Sequence, residues 1–380
     1  MSSRVTIKEL LEGVEVEWKQ LGEVANYEQP TQYLVKSKNY SDDFDTPVLT
    51  AGKTFILGYT DEVGGIYRAS ESPVIIFDDF TTANKWVDFD FKAKSSAMKM
   101  ITSKDDSEVL LKYIYYWLNI LPSDLIDGDH KRQWISNFAK KLIPIPSLDA
   151  QSEIVRVLDN FTELTAELTA ELSARKKQYS YYRDKLLRFE EDEVEWKKLG
   201  DLCSIGVGQA PKGIGEGKYS FINAGTTPSG YLNEYNTEPE TITTPSRGQG
   251  GIGYVAYQSS PFWCGPLCYR ICSINQSVTT RFIYYIMSNR VKDIIELANM
   301  AGVPALNKKA LSEFLVPIPY PNNPKKSLEK QKEIVDILDK FDTLTNSMNK
   351  GLPREIELRE KQYEYYRDLL LTFPKSEVER

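Results

Sequence analysis

The chain contains one long helix-forming segment twice, and this repeat constrains its fold more than any other feature. Residues 142–189 close with QYSYYRDKLLRF, and the segment from Leu315 to Phe373 closes with QYEYYRDLLLTF. A second match lies outside these segments, because VEWKQLG from Val16 returns as VEWKKLG from Val194. Internal repeats of this kind indicate repeated architectural units. The sequence therefore predicts two half-chains, each opening with VEWK and closing with a long helix, around two inserts that differ in sequence.

The apolar residues of the two long segments follow a heptad pattern, which is typical of helices that pair along their length. The offset between the copies is 180 residues from Phe161 to Phe341 but 184 from Tyr179 to Tyr363, so the second copy carries four extra residues. This insertion coincides with residues 350–353, KGLP, where we predict a kink or a short break. The predicted interface consists of Ile154, Leu158, Phe161, Leu168, Leu172, Tyr179, Tyr182 and Leu186 with Ile334, Leu338, Phe341, Ile356, Tyr363, Tyr366 and Leu370.

The two inserts contain short strand-like runs and one amphipathic helix each, a pattern that indicates an α+β fold. The predicted strands are 47–52, 73–77 and 97–101 in the first insert, and 221–225 and 254–257 in the second. The predicted helices are 109–121 and 280–297, with a further short helix over 4–12 and a segment 301–307 that corresponds to 127–134.

Length and hydrophobic content allow two sizeable cores. The chain has 380 residues, of which 41% are hydrophobic, and no apolar run approaches the ~18 residues of a membrane span. The charged, amphipathic N-terminus does not resemble a signal peptide. We expect globular domains over 1–147 and 191–322, and conserved long helices over 148–190 and 323–380.

The charge balance argues against a protein that binds nucleic acid on its own. The net charge is −7, whereas autonomous nucleic-acid-binding domains usually carry a basic face. Residues 1–142 hold 17 Lys+Arg and 22 Asp+Glu, a balance of −5, while residues 194–314 hold 11 and 9, a balance of +2. If the chain binds DNA, a partner is expected to supply part of the attraction to phosphate.

The four cysteines lie in the second half, three of them in the run WCGPLCYRIC. Their even spacing predicts that Cys264, Cys268 and Cys272 lie on one face of a strand. No further Cys/His pair is present to complete a zinc site with them or with Cys203. We therefore expect a reduced, cytosolic protein without a bound metal.

Residues that could carry catalysis are missing from the sequence. The run AGKT at 51–54 resembles the end of a phosphate loop, but Pro47 replaces the leading glycine and a strand-like run follows. The glycines of 248–253 lack the spacing of a cofactor-binding turn. His130 is the single histidine, which rules out a pair of catalytic histidines, and neither an amino-methyltransferase motif nor a cluster of nuclease carboxylates is present. The sequence predicts a non-catalytic chain that binds no cofactor.

The whole arrangement resembles the specificity subunit of type I restriction-modification enzymes. The resemblance covers essentially the entire chain and is carried by Pro-Ile-Pro before each long helix, by the run TELTAELTAEL over 162–172, and by the two copies of QYxYYRD at 178–187 and 362–371. In that family the variable inserts are target recognition domains, and each reads one half of a bipartite, asymmetric double-stranded DNA site. The conserved helices form an antiparallel coiled coil that separates the two domains, which are related by a pseudo-two-fold axis.

The resemblance also implies partners. Two modification subunits would dock on the helices, carry S-adenosylmethionine and methylate adenine, and two restriction subunits can join them as a translocating nuclease. We expect the chain to act with them in the cytoplasm, away from any membrane. Two other functions are possible for a chain of this pattern. A self-sufficient methyltransferase or nuclease conflicts with the missing motifs, and an orphan coiled-coil scaffold does not explain why the inserts differ while the frame is repeated.

Specific base contacts require hydrogen-bonding side chains in loops that reach a groove of the DNA. The candidates are Lys53, Thr54, Thr81, Thr82, Asn84, Lys85, His130 and Arg132 in the first domain, and Asn223, Thr226, Thr227, Arg247, Gln249, Asn307 and Lys308 in the second.

Overall fold

The computed structural model describes residues 15–50, 54–123, 132–190, 193–248, 250–347 and 349–373. The helix predicted over 4–12 lies outside these residues. The chain forms two compact units, one of Met1–Glu167 with Glu357–Arg380 and one of Leu168–Ile356. Each unit combines one insert, here called a module, with part of both long helices.

The first module contains a four-stranded antiparallel sheet in the order β2-β8-β5-β6, a three-stranded sheet in the order β4-β3-β7, and the pair β1-β9. Its elements are β1 (Glu17–Gln20), α1 (Leu21–Val24), β2 (Ala25–Glu28), a 3₁₀ turn (Pro30–Tyr33), β3 (Thr46–Leu49), β4 (Ile56–Thr60), β5 (Val74–Asp78), β6 (Asn84–Val87), β7 (Lys92–Ala93), β8 (Met98–Ser103), α2 (Leu111–Leu118), α3 (Gln133–Ser136), a 3₁₀ turn (Phe138–Lys140) and β9 (Leu142–Ile145).

Strand β5, with the sequence VIIFD, shows why the first module has two layers of core. All five of its residues are buried. Because successive side chains of a strand point to opposite faces, Ile75 and Phe77 pack in the cluster that includes helix α2, while Val74 and Ile76 pack in the cluster against the three-stranded sheet. A run of consecutive apolar residues is the pattern expected of a strand that is covered on both faces.

The second module repeats this plan, with sheets in the orders β11-β17-β14-β15 and β13-β12-β16 and the pair β10-β18. Its elements are β10 (Val194–Lys198), α5 (Leu199–Leu202), β11 (Cys203–Val207), β12 (Tyr219–Ile222), β13 (Gly230–Leu232), β14 (Thr241–Pro245), β15 (Ala256–Gln258), β16 (Trp263–Cys264), β17 (Cys268–Ser273), α6 (Thr280–Asn289), α7 (Val291–Glu296), α8 (Lys308–Ser312) and β18 (Leu315–Pro319). The long helices are α4 (Leu148–Leu186), α9 (Pro324–Asn346) and α10 (Leu352–Leu370).

The two modules therefore share one topology although their sequences differ. In each, a middle strand of the smaller sheet pairs antiparallel with the next strand and parallel with a short later one, as β3 does with β4 and β7 and β12 does with β13 and β16. Strands β3 and β12, which overlap the strand-like runs predicted from Pro47 and from Phe221, therefore occupy equivalent places in the two modules. Helices α2 and α6 likewise occupy the same place, packing on the four-stranded sheet of their own module.

The repeated segments at the two ends of each half-chain pair with one another. Strand β1, the first VEWK segment, runs antiparallel to β9, and Trp18 lies opposite Pro144. Strand β10 runs antiparallel to β18 in the same register, with Trp196 opposite Pro317. A proline is tolerated here because each pair has only two strands, so its missing N–H can lie on an open edge.

The long helices pair through the predicted heptad residues. In the first unit the rings of Phe161 and Tyr366 stack with their centroids 5.3 Å apart. In the second unit Phe341 stacks on Tyr179 at 6.0 Å and on Tyr182 at 5.7 Å. Phe161 pairs with residue 366, whereas Tyr179, later in α4, pairs with residue 341. Residue numbers therefore rise along one helix and fall along its partner, so the pairing is antiparallel. Ile154, Leu158, Ile334, Leu338 and Leu370 are fully buried, and Leu168, Leu172, Leu186, Ile356 and Tyr363 are half-buried.

The predicted break in the second long helix is confirmed. Helix α9 ends at Asn346 and α10 begins at Leu352. Gly351 joins them in the left-handed conformation, with φ +85°, and a Cβ atom there would lie 2.4 Å from the carbonyl oxygen of Thr343. Lys350 and Gly351 therefore lie outside both helices in a tight glycine turn, while Leu352 and Pro353 form the start of α10.

Replacing Gly351 with alanine should destabilise the second unit by at least ~1 kcal/mol, because the left-handed backbone and the clash oppose any side chain. Thermal unfolding of the full chain measures this. Gly213→Ala is the matched control, since its Cβ would meet nothing within 4 Å and its φ is not left-handed. Equal unfolding temperatures for the two variants would contradict the account of the break.

The single helix predicted over 280–297 is wrong, because the segment is interrupted at Arg290. This residue has φ −111° and ψ 42°, outside the helical region, and separates α6 from α7. Its guanidinium donates to the side chain of Asp293, 2.7 Å away, and to the carbonyl oxygen of Leu315, at 2.9 Å. The contact with Leu315 joins the interruption to β18, a tertiary interaction that periodicity does not reveal.

The prediction that three cysteines share one strand face is also wrong. Cys264 ends β16, and a turn through Gly265 and Pro266 leads into β17, which carries Cys268 and Cys272. The turn passes close to the β12–β13 loop, since a Cβ on Gly265 would lie 2.5 Å from the side chain of Asn223. All four cysteines of the chain are free thiols.

Candidate nucleic-acid interface

In each module the turn that follows the central strand, β5 or β14, lies beside the start of a short helix, α3 or α8, at one end of the four-stranded sheet. In the first module it is the turn between β5 and β6. The Asp78 carboxylate accepts hydrogen bonds from the N–H groups of Phe80, at 2.9 Å, and Thr81, at 3.3 Å. Thr82 adopts φ +61°, and its N–H donates to the Asp78 carbonyl oxygen at 2.9 Å. The turn is short and its backbone is held by the carboxylate that precedes it.

The start of helix α3, described from Arg132 onward, is fastened to the same turn by Asp79. The backbone N–H of Gln133 donates to the Asp79 carbonyl oxygen, and that of Trp134 to its carboxylate, both at 2.8 Å. The other carboxylate oxygen lies 3.0 Å from the ammonium nitrogen of Lys99, and both side chains are completely buried. A buried ion pair thus fixes the carboxylate that holds the start of α3.

The second module holds its loops in the same place with different chemistry. Its turn between β14 and β15 is longer and rich in glycine, and Leu306, ahead of α8, donates its N–H to the carbonyl oxygen of Ser246 at 2.9 Å. The hydroxyl of Tyr269 donates to the Leu306 carbonyl oxygen at 2.9 Å. Tyr269 and Lys99 occupy equivalent positions, because Tyr269 pairs with Thr244 in the β14–β17 pair and Lys99 pairs with Phe77 in the β5–β8 pair. The second module therefore has a neutral phenol where the first has the lysine of a charged pair.

Only part of the predicted DNA-contact set is gathered at these loops in the first module. Thr81, Thr82, Asn84 and Lys85 lie on the β5–β6 hairpin, and Arg132 lies at the start of α3, 3.9 Å from Asp79. Thr54 lies instead at the β3–β4 connection, where its carbonyl oxygen accepts from the Thr50 hydroxyl at 2.6 Å. Lys53 and His130 lie outside the described residues.

In the second module Arg247 is exposed in the glycine-rich turn, and its backbone bridges to Ala305. Asn307 caps α8, accepting from the Ala310 N–H at 2.8 Å, and Lys308 is the exposed first residue of that helix. Gln249 lies outside the described residues.

A third loop joins these two in the second module. It contains Thr226 and Thr227, which are exposed, and Ala224, whose carbonyl oxygen would lie 2.1 Å from a Cβ on Gly251. Asn223 accepts from the Leu267 N–H at 2.9 Å, so its side-chain oxygen holds the neighbouring turn.

The same loops also carry exposed apolar side chains, which are not among the residues predicted from the sequence. Phe80 is 41% exposed at the tip of the β5–β6 turn, and Met300 and Val303 are 55% and 60% exposed in the loop before α8. Apolar groups that project from a recognition loop can contact the methyl group of thymine. The available signal was an apolar residue isolated among turn-forming residues.

Across the part of the chain that the structure describes, no group of three or more His, Cys, Asp or Glu residues is arranged to hold a metal ion. Within those same ranges no helix is long and apolar enough to cross a membrane.

Comparison with known proteins relates both halves of the chain to one family. The family model for the type I restriction modification DNA specificity domain matches residues 13–175 and again 191–358. The chain is 51% identical to the type I restriction enzyme EcoR124I/EcoR124II specificity subunit of Escherichia coli, over 100% of this chain and 99% of that one. It is 30% identical to a provisionally named type I restriction enzyme specificity subunit of Haemophilus influenzae, over 98% and 99% of the two chains.

A solved structure shows the same fold. The crystal structure of the type I restriction-modification S subunit from M. genitalium superposes with a TM-score of 0.71 at 19% identity, over 96% of this chain and 98% of that one. The family model and the 51% identical relative, together with the duplicated loops, establish that the chain belongs to the type I restriction-modification DNA specificity subunits, the non-catalytic subunits that recognise DNA sequence.

Proposed function

We propose that each module, 1–147 and 191–322, is a target recognition domain that reads one half of a bipartite, asymmetric DNA site. One observation carries this proposal: the same strand order appears in both modules, but the loops at the end of the sheet differ between them. These loops differ in length, in charge and in the groups that hold them, a buried ion pair in the first module and a tyrosine hydroxyl in the second. A pure scaffold would have no use for two differently built loop sets on one topology. Different loops on a common sheet suit two different base sequences.

We further propose that the long helices dock two modification subunits, which bring S-adenosylmethionine and methylate adenine, and that two restriction subunits can join them. The motif QYxYYRD supports two equivalent docking positions. Tyr181 and Tyr365 occupy the same place in its two copies, and they are 62% and 65% exposed. Each forms an edge-to-face pair with the tyrosine that follows it, at 5.4 and 5.3 Å. Exposed aromatic residues are enriched at protein interfaces. The cytoplasm, where the DNA lies, is the proposed site of action.

Co-expression with the modification subunit, followed by sequencing that maps methylated adenines in the host DNA, tests the function. We expect a complex with two modification subunits per chain and a bipartite methylated motif with a fixed gap. A complex that forms but methylates no motif would favour the scaffold. Failure to form any complex would contradict the proposed partners.

Replacing Arg247 with alanine should weaken reading of the second half-site alone. One side chain that contacts a base edge contributes about 1–3 kcal/mol of discrimination, so methylation of sites mutated in that half should rise about tenfold relative to the correct site. Arg188→Ala, which removes a guanidinium from an exposed position after α4, is the matched control. Equal behaviour of the two variants in a methylation assay would remove Arg247 from the interface.

A further inference from the structure

Each module is fastened to a long helix by the same buried amide. Gln151 of α4 accepts from the Leu110 N–H and donates to the Glu108 carbonyl oxygen, both at 2.9 Å. Gln331 of α9 accepts from the Thr279 N–H at 3.0 Å and donates to the Ser277 carbonyl oxygen at 2.8 Å. Both glutamines are completely buried, and each binds the backbone at the start of its module helix, α2 or α6. This attachment satisfies buried polar groups but does not involve the sheet.

A second attachment lies eight residues further along each long helix, about 12 Å away at 1.5 Å per residue. In the first unit the carboxylate of Asp159 accepts from the Tyr116 hydroxyl and lies 3.4 Å from the Lys112 ammonium nitrogen. Lys112 and Tyr116 are four residues apart, so they share one face of α2. Burial, together with this hydrogen bond to a carboxylate, raises the pKa of the Tyr116 phenol, which therefore remains a donor at physiological pH.

The second unit builds the same arrangement from Asp339, Tyr285 and Arg281. The Tyr285 hydroxyl donates to Asp339, and the Arg281 guanidinium donates through Nε at 2.8 Å and forms an ion pair through Nη2 at 2.6 Å. Burial and the same kind of bond raise the pKa of the Tyr285 phenol. The cation differs between the units, but its position one turn before the tyrosine is the same.

The cation also reaches the sheet that carries the recognition loops. Lys112 lies 4.2 Å from the ring centre of Trp86 on β6, and Arg281 lies 4.3 Å from that of Tyr257 on β15. These rings are equivalent, because Trp86 lies opposite Ile75 and Tyr257 lies opposite Ile242 in the matching strand pairs. Each cation therefore contacts, at once, the outer strand of the recognition hairpin and the carboxylate of the long helix.

We propose that these two junctions, Trp86–Lys112–Asp159 and Tyr257–Arg281–Asp339, are positioning elements that determine which gap between half-sites the protein accepts. The inference rests on the proposed function. Between the two polar attachments the helix packs in the core of its module, through Ile154 and Leu158 in the first unit and Ile334 and Leu338 in the second. The junction adds a directional contact about 12 Å from the glutamine that ties the helix to the edge of the sheet, and so sets the angle between module and helix. Base reading depends on the loops at the end of the sheet, so losing a junction changes the tolerated gap without changing the preferred bases. The exchange of Lys for Arg and Trp for Tyr keeps a cation between a ring and a carboxylate in both modules.

The test uses the reconstituted methyltransferase and DNA carrying both half-sites at the correct gap and at gaps one or two base pairs shorter or longer. For Lys112→Met and for Arg281→Met we expect methylation at gaps one base pair off to rise about tenfold relative to methylation at the correct gap. This factor corresponds to the free energy typically lost when a hydrogen bond to a charged group is removed. Discrimination against a wrong base in either half-site should stay as in the wild type. Lys112→Arg, which installs the cation of the second module, should keep the narrow gap preference.

Tyr113→Phe is the matched control. It removes a buried phenol from the same helix, but that phenol donates to the Pro144 carbonyl oxygen, 2.8 Å away on β9, and not to the long helix. If the methionine variants show the gap preference of the wild type and of Tyr113→Phe, the junctions are merely structural and the inference is overturned. A wild-type complex that methylates no bipartite site at all would instead overturn the proposed function, and the inference with it.

Discussion

Replacing Lys99 with methionine should lower the free energy of unfolding of the first module by about 3 kcal/mol, because it leaves the buried Asp79 carboxylate with only the half-exposed Arg132, 3.9 Å away, as a charged partner. Both side chains of the Lys99–Asp79 pair are completely buried, 3.0 Å apart. Asp79 also receives the backbone at the start of α3, through Gln133 and Trp134. For Lys99→Met we therefore expect faster amide hydrogen exchange in peptides covering 132–138. We also expect loss of methylation, because the first module would no longer recognise its half-site.

Two controls separate the buried pair from a general charge effect. Arg68 pairs with Asp90 at 2.5 Å, but its side chain is 58% exposed, so Arg68→Met should cost less than ~1 kcal/mol. The double variant Lys99→Met with Asp79→Asn should recover part of the loss, since no buried charge is then left without a partner. An exchange rate for Lys99→Met equal to that of Arg68→Met would show that the pair does not hold the start of α3.

Inserting one Thr-Ala-Glu-Leu unit after Leu172 should lengthen the unspecified gap in the DNA site by one or two base pairs and leave both half-sites unchanged. Helix α4 is continuous from Leu148 to Leu186, so four added residues extend it by about 6 Å and rotate it by about 40°. With DNA rising ~3.4 Å per base pair, the extension corresponds to roughly two base pairs. Mapping of methylated adenines gives the gap directly, and the original gap should no longer be used.

The same four residues inserted after Gly213 provide the control, because that exposed glycine lies in a surface loop with open space around it. This variant should keep the wild-type gap. If the insertion in α4 also leaves the gap unchanged, helix α4 does not act as a spacer between the half-sites.

Periodicity predicted the helical frame well, and for a physical reason. A stripe of apolar residues that returns every seven positions is buried best against another such stripe, so Phe161, Phe341 and Tyr366 are recognisable from the sequence alone. The break at Gly351 was equally visible, because a four-residue insertion that contains glycine and proline cannot continue a heptad. Both features are local properties of the sequence.

The attachments of the modules could not be predicted in this way. Gln151 and Gln331 stand one heptad before Leu158 and Leu338, in a column where an apolar residue is expected, and their partners are backbone groups far along the chain. Their one signal was the same polar residue in the same apolar column of both copies. The interruption at Arg290 likewise depends on tertiary contacts, which sequence spacing does not contain.

The recognition loops were predicted only in part, since loops that read DNA follow no periodic rule. Residue type identified hydrogen-bonding side chains such as Thr82 and Arg247, but it could not show that Asn223 and Asn307 use their side-chain oxygens to hold the backbone. Phe80 offers no hydrogen-bonding group, so a selection by residues that can bond to base edges does not include it.

The pairing of β1 with β9, and of β10 with β18, has a consequence for how such a protein can change. The two ends of each insert lie side by side, because the strand that precedes the insert pairs with the strand that follows it. Each insert is therefore topologically one large loop closed by a two-stranded pair. The entropy of closing a loop grows only slowly with its length. Recombination within the repeated segments can therefore replace one insert by a foreign insert of different length while its closing strand pair stays the same. The chain would then acquire a new half-site in a single genetic event.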